Sequence, residues 1–283
     1  MEERAGLNFS DISQNLPLLS VKNLSKRFGN KQVLADINFS VDKGSIFALI
    51  GPNGAGKTTT IRSILNSIEP DGGTIELYGE KIDSFAKQNI ATLSEDRTVF
   101  RNFTALDYEK LYSALYPKWD SQVFRGFLSK YGFDLSQKVE TYSIGMKTLF
   151  FVILCLSTNA DLLILDEPTQ HLDPTVRYEV MRLIRDYITA DRACIISSHE
   201  MFELEEYATE FAIINSGKVI YTDSIDSAKE KHRVIKPENS IPGAEVIGLV
   251  GDEVLVRLNG EIEFETGRFP RLHEIVVAYL SRK

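Results

Sequence analysis

A chain of 283 residues, 43% of them hydrophobic, holds enough apolar material for one large domain or two small ones and has the composition of a globular protein. A formal net charge of -8 argues against a broad electrostatic footprint for nucleic acid, which is therefore not an expected partner. The two cysteines, Cys155 and Cys194, lie inside apolar runs and read as reduced core residues rather than as a disulfide or a metal site.

Residues 1–17 form a polar N-terminal extension ending at Pro17, without the basic start and apolar middle of a signal peptide, so the chain is expected to stay in the cytosol. From residue 18 the text becomes strand-like. Residues 18–24 and 33–41 flank a turn over 26–31, and Asp42-Lys43-Gly44 turns into Ile46–Ile50, a short buried strand. Phe28 falls in the first turn, where an aromatic either stacks on a nucleotide base or packs at the solvent edge.

Gly51-Pro52-Asn53-Gly54-Ala55-Gly56-Lys57-Thr58-Thr59 follows that strand and precedes a segment of helical spacing over 60–66. The spacing G-x-x-x-x-G-K-T between a strand and a helix is that of a phosphate-binding loop. Its glycines let backbone N–H groups wrap closely around a polyphosphate, and the helix turns its positive end to the same anion. Lys57 is expected to reach the outer phosphates and Thr58 to ligate Mg²⁺, which makes this a nucleoside triphosphate site.

After a break over 69–73, residues 74–78 and Ile90–Leu93 supply further strands. Aromatic residues then crowd the stretch 100–133. Tyr108, Tyr112 and Tyr116 recur at helical spacing beside Leu111 and Leu115, which predicts an amphipathic helix with an aromatic face, and a second helix follows Trp119-Asp120. That face is either the core of a small helical subdomain or a groove for an apolar partner helix. Residues 141–147 are a polar turn leading into an apolar helix over 149–156, the strongest apolar run and far below the roughly 18–20 residues of a membrane span. Ser143 either caps that helix or offers its hydroxyl to a phosphate.

Leu162-Leu163-Ile164-Leu165 reads as a buried parallel strand ending in Asp166 and Glu167. Ligands bind at the carboxyl ends of such strands, so Asp166 is suited to hold Mg²⁺ and Glu167 to deprotonate a water facing the γ-phosphate. Asp173 opens the next helix as an N-cap, and a further buried strand over 191–198 ends in His199, which is either a surface histidine or a γ-phosphate contact. Residues 211–215 and 218–221 form a hairpin around Ser216-Gly217, and 226–232 a polar helix. A linker over 237–242 leads to three predicted strands, Glu245–Val250, 253–258 and 261–265, and a closing helix over 270–280.

The phosphate loop, Tyr142-Ser143-Ile144-Gly145-Met146, Leu163-Ile164-Leu165-Asp166-Glu167-Pro168, Leu172-Asp173 and Ser197-Ser198-His199 stand in the order and spacing of an ABC-type ATPase cassette. From residue 18 to 231 the chain resembles the nucleotide-binding subunit of an ABC transporter. The resemblance implies an α/β P-loop NTPase fold: a RecA-like core with an N-terminal antiparallel β subdomain over 18–94 and 160–233, a helical signature subdomain over 95–159, and a small C-terminal β-meander plus helix over 234–283. It assigns Phe28 to adenine stacking, Ser143 and Gly145 to the signature that caps a partner's ATP, Glu167 to the catalytic base with Lys57 and His199 beside it, and Asp173 to the dimer-contacting turn. ATP and Mg²⁺ are the implied cofactors. The implied partners are a second cassette, identical or not, and a separate transmembrane permease at the cytoplasmic face of the membrane. Three departures stand out. Glu95 occupies the place of a glutamine that senses Mg²⁺ and the γ-phosphate, and a carboxylate accepts hydrogen bonds but donates none. The signature reads Tyr-Ser-Ile-Gly-Met, similar to a variant in bacterial exporters with separate membrane chains, and the bulk of His171 favours a non-identical partner cassette. A soluble ABC ATPase of translation or repair is the competing reading. It is disfavoured by a single phosphate loop and by the lack of sustained heptads.

Overall fold

The computed structural model describes residues 16–83, 86–198, 201–239, 242–258 and 267–282. His199, the expected strand over 261–265 and residues 1–15 of the N-terminal extension lie outside the described residues.

A six-stranded sheet carries the site. Its order is β10-β9-β3-β8-β7-β6, with β3 at Ile46–Ile50, β6 at Ile90–Leu93, β7 at Leu162–Asp166, β8 at Ala193–Ser198, β9 at Glu210–Asn215 and β10 at Lys218–Ser224. All neighbours are parallel except the edge pair β9 and β10. Every residue of β3, β7 and β8 is buried, which explains why these strands read as continuous apolar runs rather than alternating ones. The parallel register sets Ile50 beside Ser198 and Asp166 beside Ser197. The chain therefore leaves β3, β7 and β8 along one edge of the sheet, and the phosphate loop and the Asp166-Glu167 turn emerge side by side.

A second sheet, ordered β2-β1-β4-β5, is antiparallel, with β1 at Leu19–Phe28, β2 at Lys31–Val41, β4 at Gly72–Leu77 and β5 at Glu80–Lys81. β1 continues through Phe28, so the expected turn over 26–31 shrinks to Gly29-Asn30, and Phe28 ends a strand instead of lying in the turn. The strand persists because Lys26, Arg27 and Phe28 all pair with β2. One core lies between this sheet and the six-stranded sheet, where Phe39 stacks on Phe47 at 5.1 Å.

Helix α1 spans Lys57–Ile64; α2 (Ala105–Leu115), α3 (Ser121–Lys130) and α4 (Ile144–Ser157) form the helical part. Thr104 and Asp107 close a capping box at α2, and Asp120 caps α3 by accepting from the amides of Gln122 and Val123. The aromatic face of α2 is turned inward. Tyr108, Phe124 and Phe150 are fully buried, with Tyr108 and Phe150 in edge contact at 5.4 Å, so these rings form a core. Phe100 and Leu115 stay exposed beside it.

Helices α5 (Pro174–Tyr187) and α6 (Met201–Tyr207) follow β7 and β8. The expected polar helix over 226–232 is displaced: α7 spans Ile225–Lys231, and His232 opens a strand, β11 (His232–Ile235). That strand pairs with β13 (Glu253–Arg257), which pairs in turn with β12 (Glu245–Val250), all antiparallel. Burial drives the switch from helix to strand. The His232 imidazole is fully enclosed, with Nδ1 2.7 Å from the Ala228 carbonyl and Nε2 3.1 Å from the Tyr279 hydroxyl, and desolvation holds its pKa below the ordinary value. Helix α8 (Leu272–Ser281) packs on β12, and its Tyr279 stacks on Tyr221 of β10 at 4.4 Å. The C-terminal elements thus share a continuous core with the six-stranded sheet.

Candidate functional site

The phosphate loop is fixed by close backbone approach. A Cβ on Gly51 would lie 2.2 Å from the Ile214 carbonyl oxygen of β9, so no larger residue fits where the loop leaves β3. Gly56 stands at a φ of +115°, open only to glycine without strain, and starts α1 with no side-chain cap. No acidic residue occupies the first turn of α1. The helix therefore presents uncapped N–H groups, an arrangement that favours an anion.

Lys57 is buried and folds over its own loop, its Nζ donating to the Gly51 carbonyl at 2.7 Å and lying 3.9 Å from Glu167 Oε1. Asp166 and Glu167 are buried at the end of β7. Ser197 organises both of them: its hydroxyl donates to Asp166 Oδ1 and accepts from the Glu167 amide at 3.1 Å, while its carbonyl accepts from the same amide at 3.1 Å. Glu167 has a φ of +50°, in the left-handed region, which costs a non-glycine residue about 1–3 kcal/mol unless its surroundings hold it.

These groups surround one cavity of about 380 Å³. From the loop, Pro52, Asn53, Gly54, Gly56, Lys57, Thr58 and Thr59 line it, with Ala55 buried just behind; Glu95, Asp166 and Glu167 close the opposite side. Lys31 and Val33 of β2 complete the wall. Phe28, Ser143, Gly145 and Asp173 do not line it. Phe28 is half-exposed one hairpin turn from Lys31, with the Lys26 ammonium 5.5 Å above its ring. Ser143 caps α4 by accepting from the Met146 amide at 3.2 Å, and Asp173 caps α5 through the amides of Thr175 and Val176. Gly145 faces Leu172 and Val176, so the start of α4 and the Asp173 turn are neighbours.

Thr58, Glu95 and Asp166 meet at the cavity, and among the described residues no cluster of three or more His, Cys, Asp or Glu side chains forms a metal cage. One hydroxyl and one or two carboxylates suit Mg²⁺, which keeps waters and takes substrate phosphates as its remaining ligands.

Four residues with a part in this geometry carry no strong local signal. Ser197 is marked only as a hydroxyl at the end of a buried strand. Lys31 reads as a turn residue. Arg97 donates from Nη2 to the Glu167 carbonyl at 2.7 Å and from Nη1 to the Glu95 carbonyl at 3.1 Å. Burial lowers its pKa, against the raising pull of Glu95, Glu167 and Asp166. Gly217 donates its amide to the Ala55 carbonyl at 2.8 Å and accepts from the Ala35 amide at 2.7 Å, bracing the phosphate loop against β2.

A family model described as "ABC transporter" matches residues 34–170. The chain is 30% identical over 246 residues to "Nod factor export ATP-binding protein I" of Ralstonia nicotianae, covering 84% of this chain and 74% of that protein. It is also 30% identical over 214 residues to "Lantibiotic transport ATP-binding protein SrtF" of Streptococcus pyogenes, covering 75% of this chain and 93% of that protein. A solved structure described as the ATP-binding subunit of an ABC transporter superposes with a TM-score of 0.70 at 27% identity, over 75% of this chain and 92% of that one.

Proposed function

Because the chain belongs to the ABC transporter family as an ATP-binding, ATP-hydrolysing cassette, we propose that it powers an exporter whose membrane-spanning permease is a separate chain. The observation that carries the site assignment is the convergence of Lys57, Thr58, Asp166 and Glu167 on one cavity beside an uncapped helix N-terminus. The loop amides and Lys57 bind the phosphates, and Glu167 takes the proton of the attacking water. Thr58 and Asp166 would hold Mg²⁺, with Glu95 accepting from its waters; the ion, when bound, neutralises charge on the β- and γ-phosphates. His199, which follows Ser198 in sequence, contacts the γ-phosphate in this reading.

Ser143, Gly145 and Asp173 serve a second copy or a related cassette, since all three lie away from this chain's own cavity. Exposed Ile144, Met146 and Tyr178 near them supply apolar surface for such a contact. Phosphate donors from the facing signature and from the loop grip one nucleotide, so ATP draws the pair together and hydrolysis releases it. The nucleotide-binding core then comprises 18–94 and 160–233, the signature subdomain 95–159 and the C-terminal region 234–283.

Among the described residues no helix is long and apolar enough to cross a membrane, which accords with a permease on another chain. Exposed Phe100 and Leu115 offer that permease an apolar contact at the cytoplasmic face. The export assignment follows the relatives named for Nod factor export and lantibiotic transport. Affinity purification of the tagged chain from gently solubilised native membranes tests it. Co-elution of a multi-span membrane protein supports the transporter; reproducible co-elution of ribosomal or repair proteins alone supports the soluble alternative and ends this one.

Phe28 gives a separate prediction. If its exposed ring stacks on adenine, Phe28→Ala weakens ATP binding by about tenfold, within the 1–3 kcal/mol that base–aromatic stacking contributes. Nucleotide titration measures this, and unchanged ATP affinity removes Phe28 from the site.

A further inference from the structure

We infer that Arg97 is a positioning residue for ATP hydrolysis, holding the main chain of Glu167 in the conformation that presents its carboxylate to the cavity. This rests on the reading of Glu167 as the base. Glu167 combines two requirements that conflict: its side chain must stay in a buried site beside Lys57, and its backbone must hold a left-handed φ of +50° that a side chain disfavours. Such a conformation persists only where neighbours over-determine it.

The amide side of the residue is fixed by Ser197, through its carbonyl and its hydroxyl. The Glu167 carbonyl accepts from the Gln170 amide at 3.3 Å and from the Arg97 Nη2 at 2.7 Å, and the second bond is the shorter and the charged one. Arg97 donates its other Nη to the Glu95 carbonyl, while its buried Nε has no acceptor among the described residues. Its two bonds therefore run to main-chain carbonyls, one on each acidic turn that closes the cavity, and the planar guanidinium ties the two turns together as a fork. A glutamate at position 95 brings a third carboxylate to a cavity that already holds Asp166 and Glu167, and the charges of Glu95, Glu167 and Asp166 all favour the protonated Arg97 guanidinium.

The test compares the full-length wild type with Arg97→Met, Arg97→Lys and Glu167→Gln by steady-state MgATP turnover and equilibrium nucleotide binding. Arg97→Met is expected to lower kcat by about 10- to 100-fold while leaving the KM for ATP and nucleotide affinity within about twofold, since misplacing a reacting group by about 1 Å has that scale of effect. Arg97→Lys keeps the charge and loses the fork, so its kcat falls between the two. Wild-type kcat in Arg97→Met, or a loss confined to KM, overturns the inference. Should Arg97→Met fail to fold, Arg97→Gln takes its place under the same criteria. A Glu167→Gln protein with undiminished turnover overturns the base assignment and the inference resting on it. An inactive Glu167→Gln beside a fully active Arg97→Met overturns the role of Arg97 alone.

Discussion

Glu167→Gln is expected to reduce ATP turnover by about 10²–10⁴-fold, the range that a positioned general base contributes, while ATP still binds. The substitution keeps the shape of the side chain and its hydrogen-bonding length, and removes the negative charge and the basicity. Glu167 is buried at the end of β7, its Oε1 is 3.9 Å from the Lys57 ammonium, and its amide is held by Ser197. The variant also removes one of the carboxylates that repel the γ-phosphate, so the ATP-bound form should accumulate and, where two cassettes pair around nucleotide, the paired form with it. Phosphate release and size-exclusion chromatography in MgATP measure the two effects. Turnover near the wild-type rate would exclude Glu167 as the base, and loss of ATP binding would show that the carboxylate supports the loop instead.

The parts of this site that can be read in sequence are those whose chemistry is encoded within a few consecutive residues. The phosphate loop is legible because its glycines and lysine must follow one another at fixed spacing, and β7 because a strand buried on both faces writes an uninterrupted apolar run before Asp166 and Glu167. The cap roles of Ser143 and Asp173 are equally local. What stays hidden is set by contacts between distant segments. The polar helical text of α7 ends at Lys231, and only pairing with β13 and enclosure of His232 by Tyr279 turn the chain from helix to strand at His232. Arg97 reaches Glu167 across 70 positions, and Ser197 reaches it across 30. Aromatic spacing over 108–116 announces a helix but not whether its rings face a core or a partner. Burial of Tyr108 against Phe150 decides that for the inner rings.

Gly217→Ala should rank with Gly51→Ala among the most damaging single-methyl changes on the nucleotide side of the molecule, although position 217 lies on a hairpin remote in sequence from the phosphate loop. Gly217 has a φ of +76°, and a Cβ there would stand 2.2 Å from the Val33 carbonyl oxygen and 3.2 Å from the Leu34 Cα. Both obstacles are backbone of β2, which pairs with β1 at one edge of the antiparallel sheet, so neither yields by a rotamer change. Moving the hairpin instead breaks the bond from the Gly217 amide to the Ala55 carbonyl and the bond from the Ala35 amide to the Gly217 carbonyl. Left-handed strain and overpacking together come to about 3–4 kcal/mol. The loss falls where the loop is braced, and ATP affinity should fall with stability. Gly29→Ala is the control, because Gly29 has a φ of +57° with nothing within 4 Å of an added Cβ, which leaves only the conformational cost of about 1–2 kcal/mol. Thermal unfolding and ATP titration of the two variants separate strain from steric conflict. Equal losses in both would mean that contact with β2 contributes nothing to holding the phosphate loop; a larger loss in Gly217→Ala, accompanied by weaker ATP binding, would make the hairpin part of the nucleotide site.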